Sequence, residues 1–134
     1  MGDTDPKVIV IRRYLAALGG GIAGDVLALF TPDGEVVSPL LGRLPAASFY
    51  ARLMDSSQQS RFTVVDLMVS ATDGPRAAAY FTYHWTLRDG TDVDFDCCDV
   101  FEFTGNVADP SVRLLTIMYD AAPVRTAVGE LFHD

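Results

Sequence analysis

The sequence predicts an α+β fold: a curved antiparallel sheet wraps about three N-terminal helices into a cone with an apolar pocket. Three observations predict it. Apolar residues recur at helical spacing as far as Met54, and from Arg61 onward the pattern changes to alternation. Turn signals at Asp73-Gly74-Pro75, Asp89-Gly90 and Gly105-Asn106 divide that second part into long strands. The strand from Asp92 to Phe103 alternates throughout. Val93, Phe95, Cys97, Asp99, Phe101 and Phe103 share one face; Asp92, Asp94, Asp96, Cys98, Val100 and Glu102 share the other. One carboxylic acid, Asp99, thus stands in an apolar stripe, where ionisation is costly without a partner or water. A cavity beside Asp99 would relieve that cost.

The elements follow in order. Val8 to Leu18 reads as a helix, with Val8, Ile11, Leu15 and Leu18 on one stripe and Tyr14 beside it, facing inward or along the edge. Gly19-Gly20-Gly21 ends it. Ile22 to Phe30 reads as a short second helix, stopped by a turn at Thr31-Pro32-Asp33-Gly34. Glu35 to Ser38 is extended and is cut off by Pro39. Pro45 to Met54 is the third helix, with proline in its first turn. A polar linker, Asp55 to Ser60, precedes the first long strand, Arg61 to Ala71. The second, Arg76 to Arg88, carries Phe81, Tyr83, Trp85 and Leu87 on one face and Tyr80, Thr82, His84 and Thr86 on the other. Asp89-Gly90 is a hairpin signal. A loop through Asp109-Pro110 leads to the last strand, Val112 to Asp120, and Pro123 to Phe132 closes the chain as a short helix. The long strands make an antiparallel meander.

With 134 residues the chain is expected to form one domain over its whole length. A net charge of −8 argues against nucleic acid and anionic membranes, which select basic surfaces. No apolar run approaches the roughly 18 residues of a membrane span, and the start lacks a basic signal-peptide region. Two adjacent cysteines, Cys97 and Cys98, point to opposite faces of a strand, which suits reduced thiols and a cytoplasmic location. No phosphate loop or metal-ligand spacing is present, so neither cofactor nor metal is expected.

Phe81, Tyr83, Trp85 and Phe101 are expected to line the pocket or the core, since aromatics carry much of the buried area. Asp66 shares a strand face with Phe62, Val64, Met68 and Ser70 and is a second acid candidate if that face meets the cavity. His84 lies with Tyr80 and Thr82 on a face with no helix to cover it. That face suits a homodimer contact.

Several local runs carry a resemblance. They are Arg13-Tyr14-Leu15-Ala16-Ala17-Leu18, Gly24-Asp25-Val26-Leu27-Ala28-Leu29-Phe30, Pro32-Asp33-Gly34-Glu35-Val36, Phe49-Tyr50-Ala51 and Asp99-Val100-Phe101-Glu102-Phe103. Together the chain resembles the nuclear transport factor 2-like superfamily, and within it the ketosteroid isomerase and SnoaL-like group. Ketosteroid isomerase builds an oxyanion hole from a helix tyrosine and a protonated aspartic acid, and moves the proton with an aspartate that precedes a proline. The resemblance places Tyr14 and Asp99 in the hole and Tyr50 as support for Tyr14. Ser38-Pro39 stands where the family has Asp-Pro, and a serine hydroxyl is no general base without an activating partner. The end of the chain, Met118-Tyr119-Asp120, is similar to the SnoaL-like cyclases, in which an aspartate closing the last strand acts as acid/base. That likeness makes Asp120 the replacement base.

The resemblance therefore implies a cofactor-independent isomerase or cyclase acting on a small hydrophobic carbonyl compound through an enolate. Tyr14, Asp99, Asp120 and Ser38 would form its catalytic set, and Tyr50, Phe81, Tyr83, Trp85 and Phe101 would contact the substrate. The alternative is a non-catalytic protein that uses the same cavity for a hydrophobic ligand or the outer sheet face for a partner.

Overall fold

A computed structural model describes residues 5–129. Helix α1 (Pro6–Gly20) starts where Asp5 accepts a hydrogen bond from the Lys7 amide at 2.9 Å, with Pro6 in the first turn. It ends at Gly21, whose φ of 76° is left-handed. Its buried stripe comprises Val8, Val10, Ile11, Tyr14, Leu15 and Leu18. Helix α2 (Ala23–Leu27) is shorter than the expected Ile22–Phe30. Phe30 instead opens strand β1 (Phe30–Ser38), because its backbone pairs with Val112 far along the chain. Tertiary pairing has overridden local propensity.

The expected turn at Thr31 to Gly34 proves to be an irregularity inside β1, where the register shifts between Phe30 and Glu35. Glycine is required there: a Cβ on Gly34 would lie 2.9 Å from the Phe30 ring. A four-residue strand β2 (Gly42–Pro45), absent from the sequence reading, folds back on β1. Helix α3 (Ala46–Ser56) and strand β3 (Ser57–Val69) meet directly, so the expected linker at Asp55–Ser60 does not exist. Strand β4 (Arg76–Leu87), strand β5 (Asp92–Asn106) and strand β6 (Asp109–Met118) complete the meander, and helix α4 (Ala121–Val128) follows. The part of the expected last helix beyond 129, and His133, lie outside the described residues.

The six strands form a curved, unclosed sheet in the order β2-β1-β6-β5-β4-β3. The meander is antiparallel as expected, whereas β1 joins β6 in parallel. Helices α1 and α3 pack on one side, and their apolar stripes meet Phe81, Tyr83, Trp85, Phe101 and Leu115 in the core. The β4–β5 register aligns Ala79 with Asp99, Phe81 with Cys97, Tyr83 with Phe95 and Trp85 with Val93. Directly opposed residues project to one side, so this is the helix-covered face. Tyr80, Thr82, His84 and Thr86 align with Cys98, Asp96, Asp94 and Asp92 on the other.

One bulge overturns an expectation. Val64 aligns with Phe81, but the next aligned pair is Asp66 with Tyr80, so Val65 is the extra residue. The phase of β3 inverts there. Asp66 therefore lies on the outer face with Tyr80, exposed, and not with Phe62 beside the cavity.

Candidate active site

The cavity opens between the helices and the sheet and contains about 510 Å³ of empty space, its open mouth included. Strands supply one wall through Phe81, Tyr83, Trp85, Phe95, Cys97, Asp99 and Ile117. Helices and the β1–β2 turn supply the other through Tyr14, Leu18, Phe49, Leu53, Ser38, Leu40 and Leu41, and Tyr119 closes it after β6. The lining is aromatic and aliphatic, and among the described residues no Lys, Arg or His belongs to it.

Asp99 is the one carboxylate in that lining and is 2% exposed. Two-residue periodicity explains its placement, because Cys97, Asp99 and Phe101 lie on the inner face of β5. Its Oδ1 accepts a hydrogen bond from the Cys97 thiol at 3.1 Å. Burial pushes the carboxyl up from its ordinary 3.8 to about 7, and the thiol's donation acts weakly the other way. The same burial, with Asp99 beside it, pushes the Cys97 thiol far up, so it stays protonated.

Tyr14 lies one turn from Ile11 and Leu18 on the buried stripe of α1, and its hydroxyl meets that of Tyr50 at 2.6 Å. Burial raises both phenols, and nearby Asp99 adds to the effect. They are therefore donors at neutral pH, not bases. Tyr83 is likewise raised by burial, and its hydroxyl bonds to Ser60 at 2.8 Å. Trp85 donates its indole N–H to the Ser57 hydroxyl at 2.8 Å. With these polar tips satisfied, the ring surfaces are left to meet an apolar ligand.

The structure brings Tyr14, Ser38, Phe81, Tyr83, Trp85 and Asp99 to one cavity. Three expected members are elsewhere. Tyr50 stands behind Tyr14 and touches the cavity only through that residue's hydroxyl. Phe101 is fully buried beneath the site, with its ring 5.1 Å from Tyr14 and stacked on Phe103. Asp120 is exposed and accepts from the Ala122 amide at 3.2 Å as the N-cap of α4, outside the lining. β6 ends at Met118, so Asp120 falls past the strand and is taken up by the helix start. His84 lies on the outer face, bonded to Thr63 and Asp94.

Ser38 is 7% exposed, and its hydroxyl accepts from the Leu41 amide at 3.2 Å, which holds the β1–β2 turn that brings Leu40 and Leu41 to the cavity. No described carboxylate or imidazole bonds that hydroxyl, so nothing activates it. Phe49, Leu40, Leu41 and Tyr119 were missed by the sequence reading. Phe49 was legible from its place four residues before Leu53, whereas the aromatic partner of Tyr119, Phe95, is brought to it only by the fold. The two leucines carry no signal apart from the turn that holds them.

The model of the SnoaL-like domain family matches residues 11–107. No curated protein matches the sequence. Several solved structures share the fold. A hypothetical protein with a ketosteroid isomerase-like fold from Catenulispora acidiphila, in complex with trimethylamine, superposes with a TM-score of 0.74 at 14% identity, covering 90% of this chain and 92% of that one. TerC, co-crystallised with polyporic acid, gives 0.74 at 18% identity over 92% and 98%. A protein assigned as a SnoaL-like polyketide cyclase from Jannaschia sp. CCS1 gives 0.73 at 16% identity over 92% and 91%. At these identities the structural likeness speaks for the fold. The family match, which spans most of the chain from α1 to the β5–β6 turn, shows that this protein belongs to the SnoaL-like domain family.

Proposed function

We propose that the protein is an isomerase- or cyclase-like enzyme that enolises a small, uncharged, hydrophobic carbonyl compound in this cavity. One observation carries the reading. A buried phenol pair, Tyr14 and Tyr50 at 2.6 Å, and a buried carboxyl, Asp99, are the hydrogen-bonding groups set deepest in an otherwise apolar, aromatic-walled site. Donors aimed at a developing oxyanion in a dry cavity are typically worth several kcal/mol to a transition state. Among the described residues no cation lines the cavity, which favours an uncharged ligand over a carboxylate or phosphate. Family membership and the ligands held by the Catenulispora protein and TerC support a small-molecule site.

The test is a titration with naphthols of rising acidity. Binding should tighten with acidity and weaken about 10- to 100-fold in Tyr14→Phe, in line with the loss of one oxyanion donor. Binding that ignores both acidity and that substitution would overturn the reading.

A second reading, a ligand-binding protein without catalysis, is favoured by Ser38 and Asp120. The first is not a carboxylate and the second faces solvent. Tight naphthol binding with no turnover of any enolisable ketone would select it. Reduced Cys97 and Cys98 fit a cytoplasmic setting under either reading.

A homodimer through the outer sheet face accompanies both readings. Tyr80 (39% exposed), Met68 (40%) and Met118 (51%) lie in adjacent cross-strand rows there. Asp92, Asp94 and Asp96 flank them at one end, and Arg76 and Arg113 at the other. A two-fold axis in the interface, across the strands, would set each arginine pair against the second copy's acids. A sedimentation mass of one chain at micromolar concentration, unchanged by Tyr80→Glu, would exclude it.

A further inference from the structure

Enolisation needs a base as well as an oxyanion hole, and the cavity narrows the choice. Among the described residues its lining holds Tyr14 from α1, Tyr83 from β4, Cys97 and Asp99 from β5, Tyr119 after β6, and Ser38 at the end of β1 as groups able to bind or release a proton. Tyr50 from α3 stands behind Tyr14. Tyr14, Tyr83, Tyr119 and Cys97 are all held protonated by burial. Ser38 has no activating partner, and Asp120 and Asp66 are exposed and outside the lining.

We propose that Asp99 is the proton carrier of this site, with its Oδ1 fixed by the Cys97 thiol and its Oδ2 turned to the substrate carbon. The proposal rests on the enolate reading above and assigns its missing step. Geometry supports it first. Cys97 and Asp99 lie two residues apart on one face of β5, both line the cavity, and the 3.1 Å contact occupies one oxygen. Among the described residues none is seen to donate to the other oxygen, and Asp99 itself lines the cavity. A carboxyl near 7 is half ionised at neutral pH, where a general base is most effective.

Tyr14, backed by Tyr50, then holds the oxygen alone, and Asp99 leaves the oxyanion role that the resemblance gave it and moves the proton. The α-carbon C–H bond breaks, its electron pair enters the carbonyl to give the enolate, and the proton joins Oδ2. Return of that proton to the same carbon, or to a conjugated one, breaks the O–H bond, forms the new C–H bond and regenerates the carboxylate. No oxidant or reductant enters. Cys97 is a positioning residue: its donation favours the ionised form and orients the carboxyl.

The experiment follows deuterium entering the α-carbons of 2-tetralone, a planar enolisable ketone, in D2O with the full chain. Exchange should rise with pH and level off above about 7, where Asp99 is ionised. Asp99→Asn should lose at least about 100-fold of that rate, within the range that general base catalysis supplies, while still binding naphthol. Cys97→Ala should move the pH midpoint upward, and Cys97→Ser should restore it, a shift that a packing role would not produce. If naphthol does not bind, the enolate reading fails and takes the proposal with it. The proposal alone is overturned if naphthol binds but exchange is absent, survives Asp99→Asn, or is lost in Asp120→Asn instead.

Discussion

The two faces of β5 carry the same residue type under opposite conditions. On the outer face Asp92, Asp94 and Asp96 meet Thr86 at 2.6 Å, His84 at 3.1 Å and Thr82 at 2.8 Å, all within reach of solvent. On the inner face Asp99 stands 2% exposed, with a thiol as its hydrogen-bond donor and no cation beside it. Strand phase separates the solvent-facing carboxylates from a carboxyl that burial pushes up to about 7. Side-chain periodicity, not composition, creates the chemical difference.

The largest expected effect tests the inner face. Asp99 binds its proton more tightly folded than unfolded, so the native state holds more protons between 3.8 and about 7. Its contribution to stability is therefore fully present below 3.8 and is lost as pH rises through about 7. A displacement from 3.8 to about 7 corresponds to about 4 kcal/mol. In urea denaturation from pH 5 to 8.5, the wild type should lose stability relative to Asp99→Asn across that window. Parallel curves would mean that Asp99 is paired or wet, and the contrast between the faces would disappear.

A smaller effect comes from the phenol pair. Tyr14→Phe leaves the Tyr50 hydroxyl buried without its partner, at a cost of about 1–3 kcal/mol. Adding Tyr50→Phe should return part of that loss, because the second variant removes the orphaned group. Thermal unfolding of the two single variants and the double variant gives the coupling directly. Additive losses would show that the hydroxyls act separately.

Next, Ser60→Ala removes the bond that satisfies Tyr83 and should cost about 1 kcal/mol. Naphthol binding should change little, since Ser60 lies outside the lining. The smallest effect belongs to the outer face: Asp96→Asn should stay within about 0.5 kcal/mol at any pH between 5 and 8.5. A pH-dependent loss there, as large as that for Asp99, would overturn the distinction between the faces.

Legibility in the sequence followed the same periodicity. The alternation from Asp92 to Phe103 survives in the folded strand, so Asp99, Cys97 and the acid ladder fell on the expected sides. Tyr14 was legible because a helix repeats every 3.6 residues and its stripe was strong. Phase errors account for the losses. A single extra residue at Val65 moved Asp66 to the outer face, and nothing local in Val64-Val65-Asp66 announces it. Thr31-Pro32-Asp33-Gly34 has turn composition, yet parallel pairing to β6 keeps the chain extended through it. Asp120 was placed by likeness to the strand end of the SnoaL-like cyclases, whereas this strand stops two residues earlier. Tyr50 and Phe101 share the right elements but stand a layer deeper, a distinction that periodicity alone does not draw.

The parallel pairing of β1 with β6, with Val36 beside Leu115, sets a timetable for folding. The β3–β4, β4–β5 and β5–β6 hairpins close between neighbours in the chain, but this contact must bring together segments nearly eighty positions apart. Closing so long a loop costs entropy before any contact compensates it, so non-local pairing of this kind is slow. Ser38, Leu40 and Leu41, which complete one wall of the cavity, hang from that late strand. During synthesis the ribosome must release β6 before that wall can close on the sheet. A complete cavity is then one of the last features that a newly made chain acquires, and among the first that a partly unfolded one gives up.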